Sequence, residues 1–324
     1  MPLFSLEELE AAVPLVRTIV PPTPQHAWPL LAERTGAQVW VKHENHTPIG
    51  AFKVRGGIVY LDALKRRDAK LKGVVTATRG NHGQSIALAA ARAGVPCTIF
   101  VPRGNSREKN AAMQAFGAEL VVAGADFDEC RPQAARFAEE HDYHYVPSFH
   151  ADLVKGVATY ALELFQAVPD LDAVYAPIGM GSGICGLITV RDLLGRETDI
   201  IGVIADRALA VALSFEQGRP VPTNSSATFA DGMACRDPVA EPIDIICRGA
   251  ARIVRVTEDD IAQAMRAYYE DTHNLAEGAG AAPLAALMQE RERMQGKRVG
   301  LILSGGNVDR EVFAEVLAGR TPRS

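Results

Sequence analysis

Short apolar runs that favour β-strands alternate with longer patterns of helical periodicity along most of this chain. In runs such as 200–205 and 299–303 the apolar residues are nearly continuous and do not alternate with polar ones. Continuous apolar runs are typical of strands in a parallel sheet that helices cover on both faces. Nine strands are predicted, at residues 39–42, 73–78, 97–101, 119–123, 145–148, 173–178, 200–205, 252–256 and 298–303. The pattern therefore predicts an α/β fold with parallel-rich sheets flanked by helices.

Helical periodicity and loop composition complete this outline. Apolar residues at helical spacing predict helices at 5–18, 85–93, 107–116, 126–141 and 154–167. Ser5 and Glu8 have the spacing of a capping box at the start of the first helix. Prolines make residues 21–24 an extended loop. Residues 219–235, rich in Pro, Ser, Thr and Gly, are expected to form a loop over the surface. A length of 324 residues allows two domains.

Composition and charge exclude several classes of partner. The net charge is −5, and the basic residues form no cluster above the background, which argues against a nucleic-acid ligand. Residues 1–20 contain acids such as Glu7 and Glu10 where a leader would have a basic start and an apolar run, so no signal peptide or membrane span is predicted. The five cysteines include no CxxC pair. A reduced protein of the cytoplasm is therefore expected.

Two predicted strand ends carry loops that could bind a ligand, since ligands of α/β sheets bind outside the carboxyl ends of the strands. After strand 39–42 comes Lys53, which is either a surface cation or a partly desolvated amine able to form a Schiff base. After strand 73–78 comes a polar loop with Asn81 at the start of a helix, whose free amides favour a carboxylate. The alternative for this loop is that Asn81 only caps the helix.

The loop after strand 173–178 contains Gly179-Met180-Gly181-Ser182-Gly183. Its glycines let backbone amides approach a phosphate closely, and the following helix adds its positive end. Close packing of strand on helix is the alternative. Gly181, Gly183 and Gly186 also form GxGxxG, with Asp206 twenty residues further on, which is the dinucleotide fingerprint. A nicotinamide-dependent oxidoreductase therefore remains a competing hypothesis.

The fourth loop, after strand 298–303, begins with Ser304. A serine there is either a turn residue or a hydrogen-bond donor to a neutral ring nitrogen. A dinucleotide site explains only the glycine loop. A pyridoxal phosphate site uses all four loops, with Lys53 for the aldehyde, Asn81 for the ring oxygen, residues 179–183 for the phosphate and Ser304 for the ring nitrogen. That economy favours pyridoxal phosphate as the cofactor.

The histidines do not predict a metal site. His43 and His46 lie three residues apart beside a strand, which is poor spacing for chelation. His141 and His144 are predicted to end a helix, where they suit the helix dipole.

Taken in order, these motifs resemble the fold type II pyridoxal-phosphate enzymes, whose fold is that of the tryptophan synthase β subunit, and within them the threonine/serine dehydratases (ammonia-lyases) and serine racemases. Residues 50–56 look like the Schiff-base segment, and residues 276–281 are similar to a segment whose glutamate, here Glu277, approaches the ring. The resemblance implies a large cofactor-binding domain at 1–54 and 149–324, and a small inserted domain at 55–148. The implied cofactor contacts are Phe52, Lys53, Asn81, Gly179, Met180, Gly181, Ser182, Gly183, Glu277 and Ser304. The implied substrate contacts are Thr78, Arg79, Gly80, Asn81 and His82.

Two departures from the family pattern bear on activity. Arg79 stands where the racemases have a serine that works on the second face of the substrate, so racemisation is not expected. Ile204 follows Gly202-Val203 where some members have a glutamate that begins a divalent-cation site, so no metal is expected.

The resemblance implies removal of water and then ammonia from a 3-hydroxy amino acid, L-threonine or L-serine, with Lys53 as the base at Cα. Arg79 is either a surface or phosphate-neutralising cation, or a partner for a second carboxylate as in 3-hydroxyaspartate. Dehydration of 3-hydroxyaspartate or 3-phenylserine, a sulfhydrylase-type replacement and non-catalytic ligand binding stay open as alternatives. The implied partner is a small amino acid, and the implied assembly is a homodimer or a larger homo-oligomer.

Overall fold

The computed structural model describes residues 2–323, and within them ten strands alternate with thirteen α-helices. The strands are β1 (Gln25–Ala27), β2 (Gln38–His43), β3 (Val74–Ala77), β4 (Cys97–Val101), β5 (Glu119–Val122), β6 (His144–Tyr145), β7 (Ala173–Pro177), β8 (Asp199–Ala205), β9 (Arg252–Val256) and β10 (Arg298–Leu303). The helices are α1 (Leu6–Arg17), α2 (Pro29–Thr35), α3 (Lys53–Arg67), α4 (Asn81–Ala93), α5 (Arg107–Ala115), α6 (Phe127–His141), α7 (Ala151–Ala167), α8 (Ser182–Leu193), α9 (Ala210–Gln217), α10 (Ala240–Gly249), α11 (Glu258–Thr272), α12 (Gly278–Gln289) and α13 (Arg310–Leu317). Of these helices, none is both long and apolar enough to span a membrane.

The strands form two sheets. The larger has the order β1-β2-β10-β7-β8-β9, and the smaller has the order β5-β4-β3-β6. Every neighbouring pair is parallel except β1 with β2. The predicted α/β fold with parallel-rich sheets is therefore confirmed. The strands of the smaller sheet all lie within residues 55–148, but the exact domain boundaries stay a prediction.

Burial on both faces explains the continuous apolar runs. In β7, Ala173 and Tyr175 pack into the core beneath α11 and α12, whereas Val174 and Ala176 pack into the core beneath α7 and α8. Because successive side chains of a strand point to opposite faces, a strand covered on both sides is apolar at most of its positions. The smaller sheet follows the same rule, with α3, α4 and α5 on one face and α6 on the other.

Several local predictions need correction. β1 lies in the region after the prolines and was missed, because a three-residue polar strand has no apolar pattern. β6 is His144–Tyr145 and not 145–148, since Pro147 has no amide to continue the ladder. His144 is thus a strand residue and does not end a helix. The capping box of Ser5 and Glu8 is confirmed.

The segment 219–235 is a loop as predicted, but its second half does not lie on the surface. Thr228, Met233 and Cys235 are buried. A short 3-10 helix, Asp231–Met233, turns this half inward. The expectation from composition was wrong because polar and small residues also suit loops that pack inside the protein.

A buried network of four charged residues connects β2, α3 and α7. Arg55 of α3 donates from Nε to Oε2 of Glu44 at 2.8 Å and from Nη1 to Oε1 of Glu163 at 2.9 Å. Lys42 of β2 donates from Nζ to Oε2 of Glu163 at 2.6 Å. Burial alone raises the pKa of Glu163, but the hydrogen bonds and charges of Arg55 and Lys42 hold it below its ordinary value. The charges of two cations and two carboxylates thus cancel inside the protein.

Replacing Glu163 with alanine should strongly destabilise the chain. The change leaves Lys42 and part of Arg55 buried without a counterion, and breaking a buried ion pair from one side costs about 3–5 kcal/mol. The free energy of unfolding from urea denaturation measures the loss. Glu311→Ala is the matched control, because Glu311 pairs with Arg107 on the surface and should be nearly neutral. Equal losses in the two variants would contradict this account.

Candidate functional site

The loop before α3 is fastened to the loop after β10. The amide of Phe52 donates to the carbonyl of Ser304 at 3.0 Å, and Ala51 forms an isolated bridge with Gly305. Lys53, the first residue of α3, accepts a hydrogen bond at its carbonyl from Oγ of Ser85 at 2.6 Å. These contacts fix the backbone at Lys53 from two sides.

The amine of Lys53 has no carboxylate partner among residues 2–323. Its Nζ donates to Oγ of Ser182 at 2.7 Å and lies 5.0 Å from the centre of the Phe52 ring. Desolvation by the surrounding protein lowers the pKa of Lys53 to about 8. A lysine with a lowered pKa has a substantial neutral fraction near physiological pH, which makes it a nucleophile and a base.

A single cleft brings the four predicted loops together. It contains about 840 Å³ of empty space, counting the part open to solvent. All residues that the sequence predicts for cofactor or substrate line it: Phe52, Lys53, Thr78, Arg79, Gly80, Asn81, His82, Gly179, Met180, Gly181, Ser182, Gly183, Glu277 and Ser304. The individual roles of these residues remain predictions.

The glycine loop before α8 has a geometry that larger residues could not adopt. Gly181 has a φ of +96°, in the left-handed region. A Cβ atom on Gly179 would lie 2.3 Å from the carbonyl oxygen of Gly232. The loop therefore keeps its backbone close to Gly232, and it leads directly into the start of α8, where free amides and the helix dipole favour an anion.

The start of α4 forms a second place for an anion. The amide of Gly80 donates to Oγ1 of Thr78 at 2.9 Å, which shapes the turn. The His82 ring is buried, with Nε2 3.2 Å from Oγ1 of Thr76, and burial together with the charge of Lys53 lowers its pKa to about 3. His82 is thus neutral, and its backbone amide, one of the first three of the helix, is the group left for a carboxylate.

Glu277 belongs to a buried network that sequence analysis only partly identified. Nδ2 of Asn81 donates to Oε1 of Glu277 at 2.6 Å. Nζ of Lys109 donates to Oε2 of Glu277 at 3.1 Å and to Oδ2 of Asp231 at 2.7 Å. Burial raises the pKa of Glu277, although the charge of Lys109 opposes the rise. Nδ2 of Asn307 donates to Oδ1 of Asn81 at 2.8 Å, so the amide of Asn81 is fixed at both ends.

Lys109 and Asp231 were missed. Both line the cleft, yet Lys109 follows Arg107 and Glu108 in what looks like an ordinary charged helix. Asp231 lies in the segment expected on the surface. The Asp231-Gly232 pair gives no signal by itself, because the close approach of Gly232 to the glycine loop exists only in the folded chain.

These residues fit pyridoxal phosphate better than a dinucleotide. The unpaired amine of Lys53, the glycine loop beside it and the hydroxyl of Ser304 all face one cleft. Gly186, the third glycine of GxGxxG, packs against Ala158 of α7, and Asp206 is exposed and outside the cleft. Within residues 2–323, no group of three or more His, Cys, Asp or Glu is placed to hold a metal ion.

Comparison with known proteins agrees with this fit. Residues 16–305 match the family model described as pyridoxal-phosphate dependent enzyme. An L-threonine ammonia-lyase of Geobacter sulfurreducens is 38% identical, over 88% of this chain and 71% of that protein. An L-threo-3-hydroxyaspartate ammonia-lyase of Saccharomyces cerevisiae is 32% identical, over 94% of each. The processed form of threonine deaminase isoform 2 from Solanum lycopersicum superimposes with a TM-score of 0.87 at 29% identity, over 98% of this chain and 96% of that one.

The lowered pKa of Lys53 can be tested by chemical labelling. In the ligand-free chain, acetylation of Lys53 should reach half its maximal rate near pH 8, because the amine loses its proton below the ordinary pKa of 10.5. Lys72 is the control, since it is exposed and its partner Asp142 raises its pKa. Peptide mass spectrometry at limiting reagent follows both. Lys53 and Lys72 labelling with the same pH midpoint would rule out the shift.

Proposed function

Because the chain belongs to the family of pyridoxal-phosphate dependent enzymes, we propose that it is a dehydratase and ammonia-lyase of the threonine/serine type. The reaction converts a 3-hydroxy amino acid into a 2-oxo acid and ammonia. Water leaves first, and a water molecule taken up later releases the ammonia. The observation that carries the proposal is the desolvated amine of Lys53, which faces Ser182 at the glycine loop and has no carboxylate partner among residues 2–323.

Lys53 has two tasks in this proposal. When bound, pyridoxal phosphate supplies an aldehyde carbon that amines attack and a conjugated ring that withdraws electrons from Cα. Lys53 holds the cofactor through Nζ, yields to the substrate amine, and then takes the proton from Cα. The pKa of about 8 suits both tasks, because a base works best when its pKa lies near the working pH. Ser182 orients the amine through its 2.7 Å hydrogen bond.

The remaining loops position the reactants. The glycine loop and the start of α8 hold the phosphate, and Glu277 and Asn81 border the ring. The amides at the start of α4, with Thr78 and His82, hold the substrate carboxylate. Fixing the carboxylate limits which substrate atoms reach Lys53.

Ser304 distinguishes this site from one that carries an acid at the same place. A serine hydroxyl donates a hydrogen bond to the ring nitrogen but does not protonate it, as an aspartic acid would. By leaving the ring nitrogen neutral, Ser304 would limit the withdrawal of electrons from Cα and so favour rapid loss of the 3-hydroxyl over side reactions. Arg79 in place of a second acid–base group also argues against racemisation.

L-threonine and L-serine are the substrates that we propose first, since the Geobacter relative is named for L-threonine. A 3-hydroxyaspartate is the second candidate, because the yeast relative is named for it and Arg79 lines the cleft. 3-Phenylserine, β-replacement with sulfide and cofactor binding without turnover are the other outcomes that an assay of 2-oxo acid formation separates.

We also propose that the protein acts in the cytoplasm as a homodimer or larger homo-oligomer. Supporting an assembly, Tyr269, Leu275 and Leu317 are large apolar residues with 40–45% of their surface exposed. Tyr269 and Leu317 belong to α11 and α13, which pack side by side. Light scattering coupled to gel filtration should give a mass of at least twice 34.8 kDa, and a monomer at working concentration would refute this proposal.

Replacing Lys53 with alanine should abolish turnover. The variant lacks both the amine that holds the cofactor and the base, so the rate should fall by about 10³-fold or more. Formation of 2-oxo acid from threonine measures activity, and the visible absorbance of the lysine-bound cofactor should disappear. Lys65→Ala is the control, since Lys65 is an exposed lysine of the same helix. Turnover retained in Lys53→Ala would contradict the proposed mechanism.

A further inference from the structure

Arg79 is a half-buried arginine whose side chain has no partner among residues 2–323. It lies between the end of β3 and Gly80 and lines the cleft. Its Nε is buried without a hydrogen-bond acceptor, and its guanidinium forms no ion pair within residues 2–323. By contrast, the buried guanidinium of Arg55 is fully paired. A desolvated donor without an acceptor costs free energy, so a binding partner from outside the protein would relieve a real penalty.

The carboxylates of the cleft wall are not free to serve Arg79. Asp231 and Glu277 both accept hydrogen bonds from Lys109, at 2.7 and 3.1 Å. Lys53 faces the other way, toward Ser182 and the glycine loop. Arg79 is therefore a cation of the cleft that no carboxylate within residues 2–323 neutralises, and it is separate from the proposed phosphate site.

The cleft wall also includes Phe127, the first residue of α6, and the acids around it are engaged as well. Burial and the acids Asp126 and Glu129 raise the pKa of Cys130 to about 11, while the nearby charges of Arg103 and Arg79 oppose that rise. Asp126 caps α6 through the amide of Glu129 at 2.9 Å, and Glu129 accepts from the amide of Ala125 at 2.8 Å. Each of these carboxylates thus has a partner of its own.

We propose that Arg79 binds a second carboxylate, carried on the side chain of the substrate. The inference rests on the proposed function and extends its substrate class to acidic 3-hydroxy amino acids, of which 3-hydroxyaspartate is the smallest. The planar guanidinium suits a carboxylate through two parallel hydrogen bonds. Arg79 stands two residues before the first residue of α4, whose amides hold the other carboxylate. The two anion sites are therefore adjacent, as a four-carbon dicarboxylate requires.

Two other partners of Arg79 make different predictions. If Arg79 shared the carboxylate held by α4, replacing Arg79 would weaken the binding of every amino-acid substrate equally. If Arg79 bound the cofactor phosphate, replacing it would weaken the binding of the cofactor. The phosphate site that we propose lies at the ends of β7 and α8, whereas Arg79 follows β3 of the other sheet.

The kinetic test compares substrates in the holoenzyme. We expect kcat/KM for L-threo- or L-erythro-3-hydroxyaspartate to fall ~30-fold or more in Arg79→Ala, because a desolvated charge pair loses its partner. L-threonine and L-serine, which have no second carboxylate, should change less than about 3-fold on the same reasoning. Arg79→Lys keeps the charge without the two-pronged geometry and should recover only part of the loss. Arg103→Ala, which removes an exposed cation nearby, is the matched control and should leave the ratio unchanged.

A binding test separates the inference from the proposed function. Succinate and butanoate have the same carbon chain but differ by one carboxylate. Succinate should raise the melting temperature of the holoenzyme at lower concentration than butanoate, and Arg79→Ala should remove that advantage. An equal loss of kcat/KM for all substrates in Arg79→Ala would overturn the inference. A wild-type protein that dehydrates threonine but neither isomer of 3-hydroxyaspartate would overturn it as well. If no substrate is turned over, the proposed function fails, and the succinate comparison alone decides whether Arg79 binds a second carboxylate.

Discussion

The buried network of Lys42, Glu44, Arg55 and Glu163 is the constraint on which the cleft depends. Arg55 is in the first turn of α3, two residues after Lys53, and its guanidinium is held by one carboxylate beside β2 and one in α7. A buried charge can be kept only where its partners are fixed in place. The network therefore sets where α3 begins. Because Lys53 is the first residue of that helix, the same network determines where its amine lies relative to the glycine loop.

The cleft combines satisfied and unsatisfied charges, and the difference indicates what it binds. Lys109 is neutralised by Asp231 and Glu277, so it serves the protein's own structure by joining α5 to the wall formed by the larger sheet. Lys53 and Arg79 lack carboxylate partners among the described residues. The desolvated amine of Lys53 and the half-buried cation of Arg79 lie next to helix starts whose free amides favour anions. A phosphate and one or two carboxylates are the anions that the proposed reaction brings.

Local pattern predicted much of the fold and of the site. Nine of the ten strands follow from apolar runs, and Ser5 with Glu8 marks the first helix. The four loops that line the cleft were identified because glycine, lysine and asparagine at strand ends have few structural reasons to occur together. What failed has a common cause. β1, the inward turn of residues 228–235 and the partnership of Lys109 with Asp231 all depend on contacts between distant parts of the chain, which no window of neighbouring residues contains.

The sequence by itself determined the alternation of strands and helices, the parallel character of the sheets and the types of residue at their ends. These follow from side-chain periodicity and from the backbone freedom of glycine, which are local properties. Only the tertiary structure decided the state of each charged group. The pKa of Lys53 is about 8 because surrounding atoms exclude water from its amine, and Lys109 is neutralised by Asp231, 122 residues away. Arg79 has no side-chain partner within residues 2–323. Desolvation and pairing depend on three-dimensional neighbours, so the chemistry of this cleft is set by the fold.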